Sequence, residues 1–264
     1  MITLYQFELS QFSEKVRLIL DYKELDYQKI EVTPGIGQWE LFQISGQRQV
    51  PVLKDGETVI ADSTDIAFYL DRKYPDKLII PVDPLLRGQC LLLEEWADES
   101  IGLKGRKALV GALNQNENFR TSILPPETPN FLKSLVGAVP SELLNFLGTG
   151  IGFSPQAIKE AHRGLHQDLE ALTLILQHQP YILGNKLTLA DLAVAGLSTI
   201  LKFPTGNYLK LPAQWQGKGI PGLGDNCAYD PFFAWRDRLY EQFRRPLNSS
   251  ASFANASPTS IAID

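Results

Sequence analysis

Ile2-Thr3-Leu4-Tyr5-Gln6-Phe7 runs on, two residues later, into Ser10-Gln11-Phe12-Ser13-Glu14-Lys15-Val16-Arg17-Leu18. The first part is a short apolar, β-prone run. From Phe12 to Tyr22, Phe12, Val16, Ile19 and Leu20 recur at helical spacing, with Glu14, Lys15 and Arg17 between them. Tyr27 to Val32 then alternates as a strand does. A helix crossing between two strands implies that the strands run parallel. Val50-Pro51-Val52-Leu53, the turn Lys54-Asp55-Gly56-Glu57, and Thr58-Val59-Ile60-Ala61 read as an antiparallel hairpin. A helix from Ser63 to Tyr74, closed by Pro75, completes a β-α-β then β-β-α order.

Beyond a linker at Pro81 to Pro84 the pattern turns wholly helical. Leu91, Leu92, Glu95, Trp96 and Glu99 fit one helix, and Ile158, Ala161, Leu165, Leu169, Leu172 and Leu176 form an apolar stripe on another. Leu189 to Leu201 is apolar all round, which places it in a domain centre. Asp230-Pro231 reads as a cap followed by a first-turn proline, opening a helix from Phe232 to Arg245. The tail from Asn248 is rich in Ser, Ala and Asn and reads as disordered. The expected organisation is an α/β domain over 1–80, an all-α domain over 85–246 and a tail over 247–264.

A net charge of -5 with pI near 5.3 argues against a broad attraction to nucleic acid or anionic membrane. No apolar run reaches the roughly 20 residues that span a bilayer. Cys90 and Cys227 are far apart and form neither a disulfide framework nor a zinc site, so a reducing cytosol is the expected setting. His162 and His166 stand one helical turn apart but lack the further ligands of a metal site, and read as a solvated face. Glu94, Glu95, Asp98 and Glu99 read likewise, with lining of a cleft as the other reading.

Ser10 stands at the start of the first helix, where free N–H groups and a partial positive charge favour a thiolate. The other reading of Ser10 is a helix cap. Ser10 and Ser13 hold the two positions of a C-x-x-C pair without a cysteine. That excludes a dithiol cycle or an enzyme mixed disulfide at this loop.

Four segments resemble glutathione S-transferases: Leu4-Tyr5 with Ser10 to Leu18, Val50-Pro51-Val52-Leu53, Asp62-Ser63, and Leu183-Gly184-Asn185-Lys186-Leu187-Thr188-Leu189-Ala190-Asp191. The resemblance implies a thioredoxin-like N-terminal domain, an all-α C-terminal domain, and glutathione as co-substrate with no metal. It implies Ser10 as the hydroxyl that stabilises the glutathione thiolate, with Ser13 as the substitute donor. Pro51 would be a cis-proline, and Val50 would pair through its backbone with the cysteinyl unit, as an added strand does. Asp62 would take the γ-glutamyl amine and Ser63 its carboxylate, or both would only cap their helix. From the preceding loop only Gln49 is carried over. Thr188 and Asp191 form a capping box, a folding feature.

The implied activity is attack of glutathione on a hydrophobic electrophile, or isomerisation or peroxide reduction with it, in a homodimer. Leu4-Tyr5-Gln6-Phe7 and Leu20 to Gln28 also resemble the second membrane-associated prostaglandin E synthase family, whose active-loop cysteines are missing here. A third reading is a non-catalytic adaptor or complex subunit. The segments 114–155 and 203–227 read either as extra packing and surface loop, or as a modified substrate site or partner-docking surface.

Overall fold

The computed structural model of the chain describes residues 1–33, 36–115, 153–211 and 215–247. Strands β1 (Ile2–Gln6), β2 (Tyr27–Glu31), β3 (Val52–Asp55) and β4 (Thr58–Ala61) form one sheet in the order β2-β1-β3-β4. β1 and β2 run parallel, as the crossover helix α1 (Gln11–Tyr22) requires, and the other two pairings are antiparallel. The hairpin turn is tighter than its sequence suggests. Lys54 and Asp55 stay paired in β3, and only Gly56 and Glu57 turn, Gly56 taking the positive φ of +63°.

Helix α2 (Ile36–Ser45) stands between β2 and β3, where the sequence pattern shows no element. Its apolar residues do not form a stripe: Leu41 is buried, whereas Trp39, Phe42 and Ile44 are exposed. Helix α3 (Ser63–Lys73) follows β4 directly.

The rest is helical: α4 (Pro84–Ala97), a π-helical segment (Asp98–Lys104), α5 (Gly105–Gln115), α6 (Pro155–His178), α7 (Leu189–Leu197) and α8 (Asp230–Phe243). All nine residues of α7 are buried, which explains its unbroken apolar sequence. It packs on α1 and α4, so one continuous core joins the sheet to the helices. Asp191 Oδ2 accepts the Thr188 N–H at 2.8 Å, the reciprocal arm of the expected capping box, and Oδ1 accepts the Ile182 N–H at 2.7 Å. Burial pushes its carboxyl up to about 6 despite these bonds. Asp230 is the first residue of α8 rather than its cap, because a 3-10 turn at Cys227–Tyr229 leads straight into the helix.

Four charged residues of α1 lie inside, Asp21 among them. Glu14, Lys15 and Arg17 are all at most 1% exposed, because α1 is covered by the sheet and α3 on one side and by the helical half on the other. Glu14 binds Arg17, and Arg244 beyond α8 reaches Glu14 Oε1 at 2.9 Å and Asp21 Oδ2 at 2.6 Å. Lys15 binds Glu94 and Asp98, which corrects the reading of that acidic face as solvated; Glu95 and Glu99 do remain exposed. His166 is also less solvated than expected, since its Nδ1 lies 2.8 Å from the Tyr229 hydroxyl.

Within 203–227, the segment folds back on the core through the Lys202–Gly219 bridge and buries Phe203, Leu209, Ile220 and Leu223. Residues 116–152 and 248–264 lie outside the described residues, so most of the 114–155 segment and the tail do too.

Candidate functional site

One cleft opens where the first turn of α1, the loop ahead of β3 and the first turn of α3 converge. Counting space open to solvent, it spans about 820 Å³. Ser10, Gln49, Val50, Pro51, Asp62 and Ser63 all line it, although Ser10 and Ser63 lie more than fifty residues apart in sequence. Ser13 does not. It is fully buried behind the loop, and its hydroxyl has no hydrogen-bond partner among the described residues. The structure therefore separates the two serines that sequence alone leaves as alternatives.

Ser10 caps α1: its Oγ accepts the Ser13 N–H at 3.2 Å. A hydroxyl that accepts in this way keeps its own hydrogen to donate. The cap reading and the donor reading of Ser10 are thus compatible, and the free hydrogen belongs to a side chain on the cleft wall. Below it, the Lys15–Glu94–Asp98 cluster holds the helix, and the Thr64 hydroxyl donates to Glu94 Oε1 at 2.7 Å. One charge cluster therefore fixes α1, α3 and α4 relative to one another. Burial pushes the Asp98 carboxyl up even with Lys15 beside it.

The Val50–Pro51 bond is cis. Asp62 has φ +82°, ψ 133°, a conformation rare for any residue but glycine. Such strain costs about 1–3 kcal/mol and is found at ligand sites. Asp62 Oδ1 takes the N–H groups of both Thr64 and Asp65, at 2.8 and 3.2 Å, which leaves Oδ2 for a cation. With those two amides capped, the N–H of Ser63, the first in α3, is left for an anion.

Six further residues line the cleft. Gln47 and Arg48 extend the loop that carries Gln49, and Gln11 and Phe12 continue the Ser10 turn. Leu103 and Arg106 come from the helical half. Leu103 belongs to the π-helical segment, a feature often found at functional sites. That segment docks on the Ser10 turn: Gln11 donates to the Gly102 carbonyl at 3.2 Å, and a Cβ on Gly102 would meet the Phe12 ring at 3.0 Å. Nothing in the local sequence Gly102-Leu103-Lys104-Gly105-Arg106 marks Arg106 for this place.

Residues 4–78 match the model of the glutathione S-transferase N-terminal domain, and residues 155–238 that of the C-terminal domain. The zeta-class glutathione S-transferase of Euphorbia esula is 40% identical over 85 residues, 31% of this chain and 38% of that one. Glutathione S-transferase 1 of Dianthus caryophyllus is 29% identical over 198 residues, 73% of each chain. A glutathione transferase family member from Pseudomonas fluorescens, solved with two glutathione bound, superposes with a TM-score of 0.58 at 14% identity, over 91% of this chain and 87% of that one. Two domain models in the right order, on a sheet and a helical half that meet at this cleft, make the chain a member of the glutathione S-transferase superfamily.

Proposed function

We propose that the cleft binds glutathione and that Ser10 activates its thiol for attack on a hydrophobic electrophile. One observation carries the reading: Ser10, Val50, Asp62 and Ser63 line a single cleft, each with the chemistry that one part of glutathione needs. Asp62 Oδ2 suits the γ-glutamyl ammonium, and the Ser63 N–H and hydroxyl at the start of α3 suit its carboxylate. The Val50 backbone pairs with the cysteinyl unit, which brings the thiol towards Ser10. Gln49 borders the same loop.

At the start of α1 the thiolate gains the Ser10 hydrogen bond and the helix-end charge. Lowering a thiol from its ordinary pKa near 8.5 by about two units takes only about 3 kcal/mol, within reach of those two effects. The second substrate enters between the Ser10 turn and Leu103 of the helical half. Isomerisation or peroxide reduction would use the same activated thiol. In this reading the protein works as a homodimer in the cytosol, where reduced glutathione is at hand. Among the described residues no helix is long and apolar enough to cross a membrane.

Retention on immobilised glutathione with elution by free glutathione, followed by conjugation of a model electrophile above the solution rate, tests the proposal. Retention without turnover favours the adaptor reading, and no retention removes glutathione from the cleft.

A further inference from the structure

Arg106, half-buried in the cleft wall, stands apart from the buried arginines. Arg17, Arg236 and Arg244 each bind a carboxylate: Glu14, Asp237 and Glu14 with Asp21. Arg106 has no hydrogen-bond or ion-pair partner among the described residues, and its Nε is sealed from solvent without an acceptor. Burial lowers its pKa, whereas at Arg17 an even deeper burial is outweighed by the Glu14 and Glu8 carboxylates together, which raise that residue's. A guanidinium stays charged throughout, so among the described residues the sealed Nε–H carries a desolvation that no carboxylate offsets.

Its placement is specific. The guanidinium lies over the Phe12 ring, 5.3 Å from the centroid. A guanidinium held against a ring in this way still has its terminal N–H groups, which are what recognises planar oxyanions. Phe12 is two residues from Ser10, and both line the cleft with Arg106 and Leu103. Glutathione itself does not account for Arg106. In the proposed binding mode its ammonium is assigned to Asp62 and its γ-glutamyl carboxylate to Ser63, and Arg48 on the Gln47–Gln49 loop is a separate cation on the cleft wall for its glycyl carboxylate. Arg106 comes from the other wall, on the helical side, where the second substrate enters.

We propose that Arg106 makes this a site for an electrophile carrying a carboxylate or a similar planar oxyanion on an apolar body. The apolar part packs against Phe12 and Leu103, and the anionic end meets the guanidinium edge. This deepens the glutathione reading and rests on it.

The test measures, by calorimetry, binding of glutathione, S-(4-carboxybenzyl)glutathione and its carboxamide counterpart to the wild type, Arg106→Gln and Arg106→Lys. The wild type should prefer the carboxylate over the carboxamide by about ten-fold or more, the scale of one charge-assisted hydrogen bond. Arg106→Gln should erase that preference while the Kd for glutathione moves far less. Arg106→Lys, which keeps the charge but not the fork, should retain part of it. Melting temperatures establish that both variants are folded.

Equal affinity of the wild type for the two conjugates overturns the inference and leaves the glutathione site standing. Equal weakening of all three ligands in Arg106→Gln also overturns it, by assigning Arg106 to glutathione. Failure of the wild type to bind any of the three removes the glutathione reading, and this inference with it.

Discussion

The Lys15 ammonium lies 2.8 Å from Asp98 Oδ1, so the helix that Ser10 caps is tied by charge to the helical half of the molecule. Glu94, 2% exposed, is its second carboxylate partner. Lys15→Met would leave two largely buried carboxylates without their cation. Removing one partner of such a group costs about 3–5 kcal/mol. Urea unfolding should show the loss as a lower midpoint at unchanged slope. A loss below about 1 kcal/mol, the level of an exposed pair, would mean that the cluster does not join the halves.

Acid should unfold the protein through Glu14. Burial opposes its charge, but Arg17 and Arg244 outweigh that and hold its carboxyl at about 2, below its ordinary value of 4.5. A depressed carboxyl stabilises the fold above the unfolded value, and the contribution is lost as pH falls from 4.5 towards 2. The amount is about 3 kcal/mol. Glu14→Gln should flatten the dependence of stability on pH in that window. An unchanged slope would clear Glu14 of the effect.

Asp191→Ala should act on stability, not chemistry. It removes a helix cap and also orphans the Ile182 N–H, both fully buried, for a loss of about 2–4 kcal/mol. The pH sign is opposite to that of Glu14. With its carboxyl raised from 3.8 to about 6, the contribution of Asp191 is full below the lower value and lost as pH rises through the upper one. Thermal unfolding at pH 4 and pH 7 of the wild type and the variant checks both statements.

The sheet, its parallel first pair and the apolar α7 were legible because each depends on local pattern, alternation or helical spacing. Val50, Asp62 and Ser63 were named only through the resemblance to glutathione S-transferases, and all three line the same cleft. α2 was not legible, because Trp39 and Phe42 face outward and break the stripe by which a helix is read. The charges of α1 fall between its apolar positions and look solvated. Their partners Glu94, Asp98 and Arg244 lie about 80 to 230 residues away, and no local spacing announces them. Arg106 was hidden for the same reason. Ser10 and Ser13 are three residues apart, and only the turn of the helix, which carries one to the cleft and the other inward, tells them apart.

Ser63→Ala should weaken glutathione binding by about 1–3 kcal/mol, because a charged carboxylate loses one hydrogen bond while the helix N–H remains. Calorimetry at constant ionic strength reads this directly. An unchanged Kd would take the Ser63 hydroxyl out of the site.

The most direct test of the central claim is the ionisation of bound glutathione in the wild type and in Ser10→Ala, followed by thiolate absorbance alongside the pH–rate profile of conjugation. The wild type should hold the thiol ionised at pH 7, well below its ordinary pKa near 8.5. Ser10→Ala should raise that pKa and slow conjugation by about ten- to a thousand-fold, the cost of losing one oriented donor, with a much smaller fall in glutathione affinity. Ser13→Ala, altering a hydroxyl sealed away from the cleft, should titrate as the wild type does. Matching thiol titrations and rates for the wild type and Ser10→Ala would contradict the account, as would a wild type that binds glutathione without ionising it.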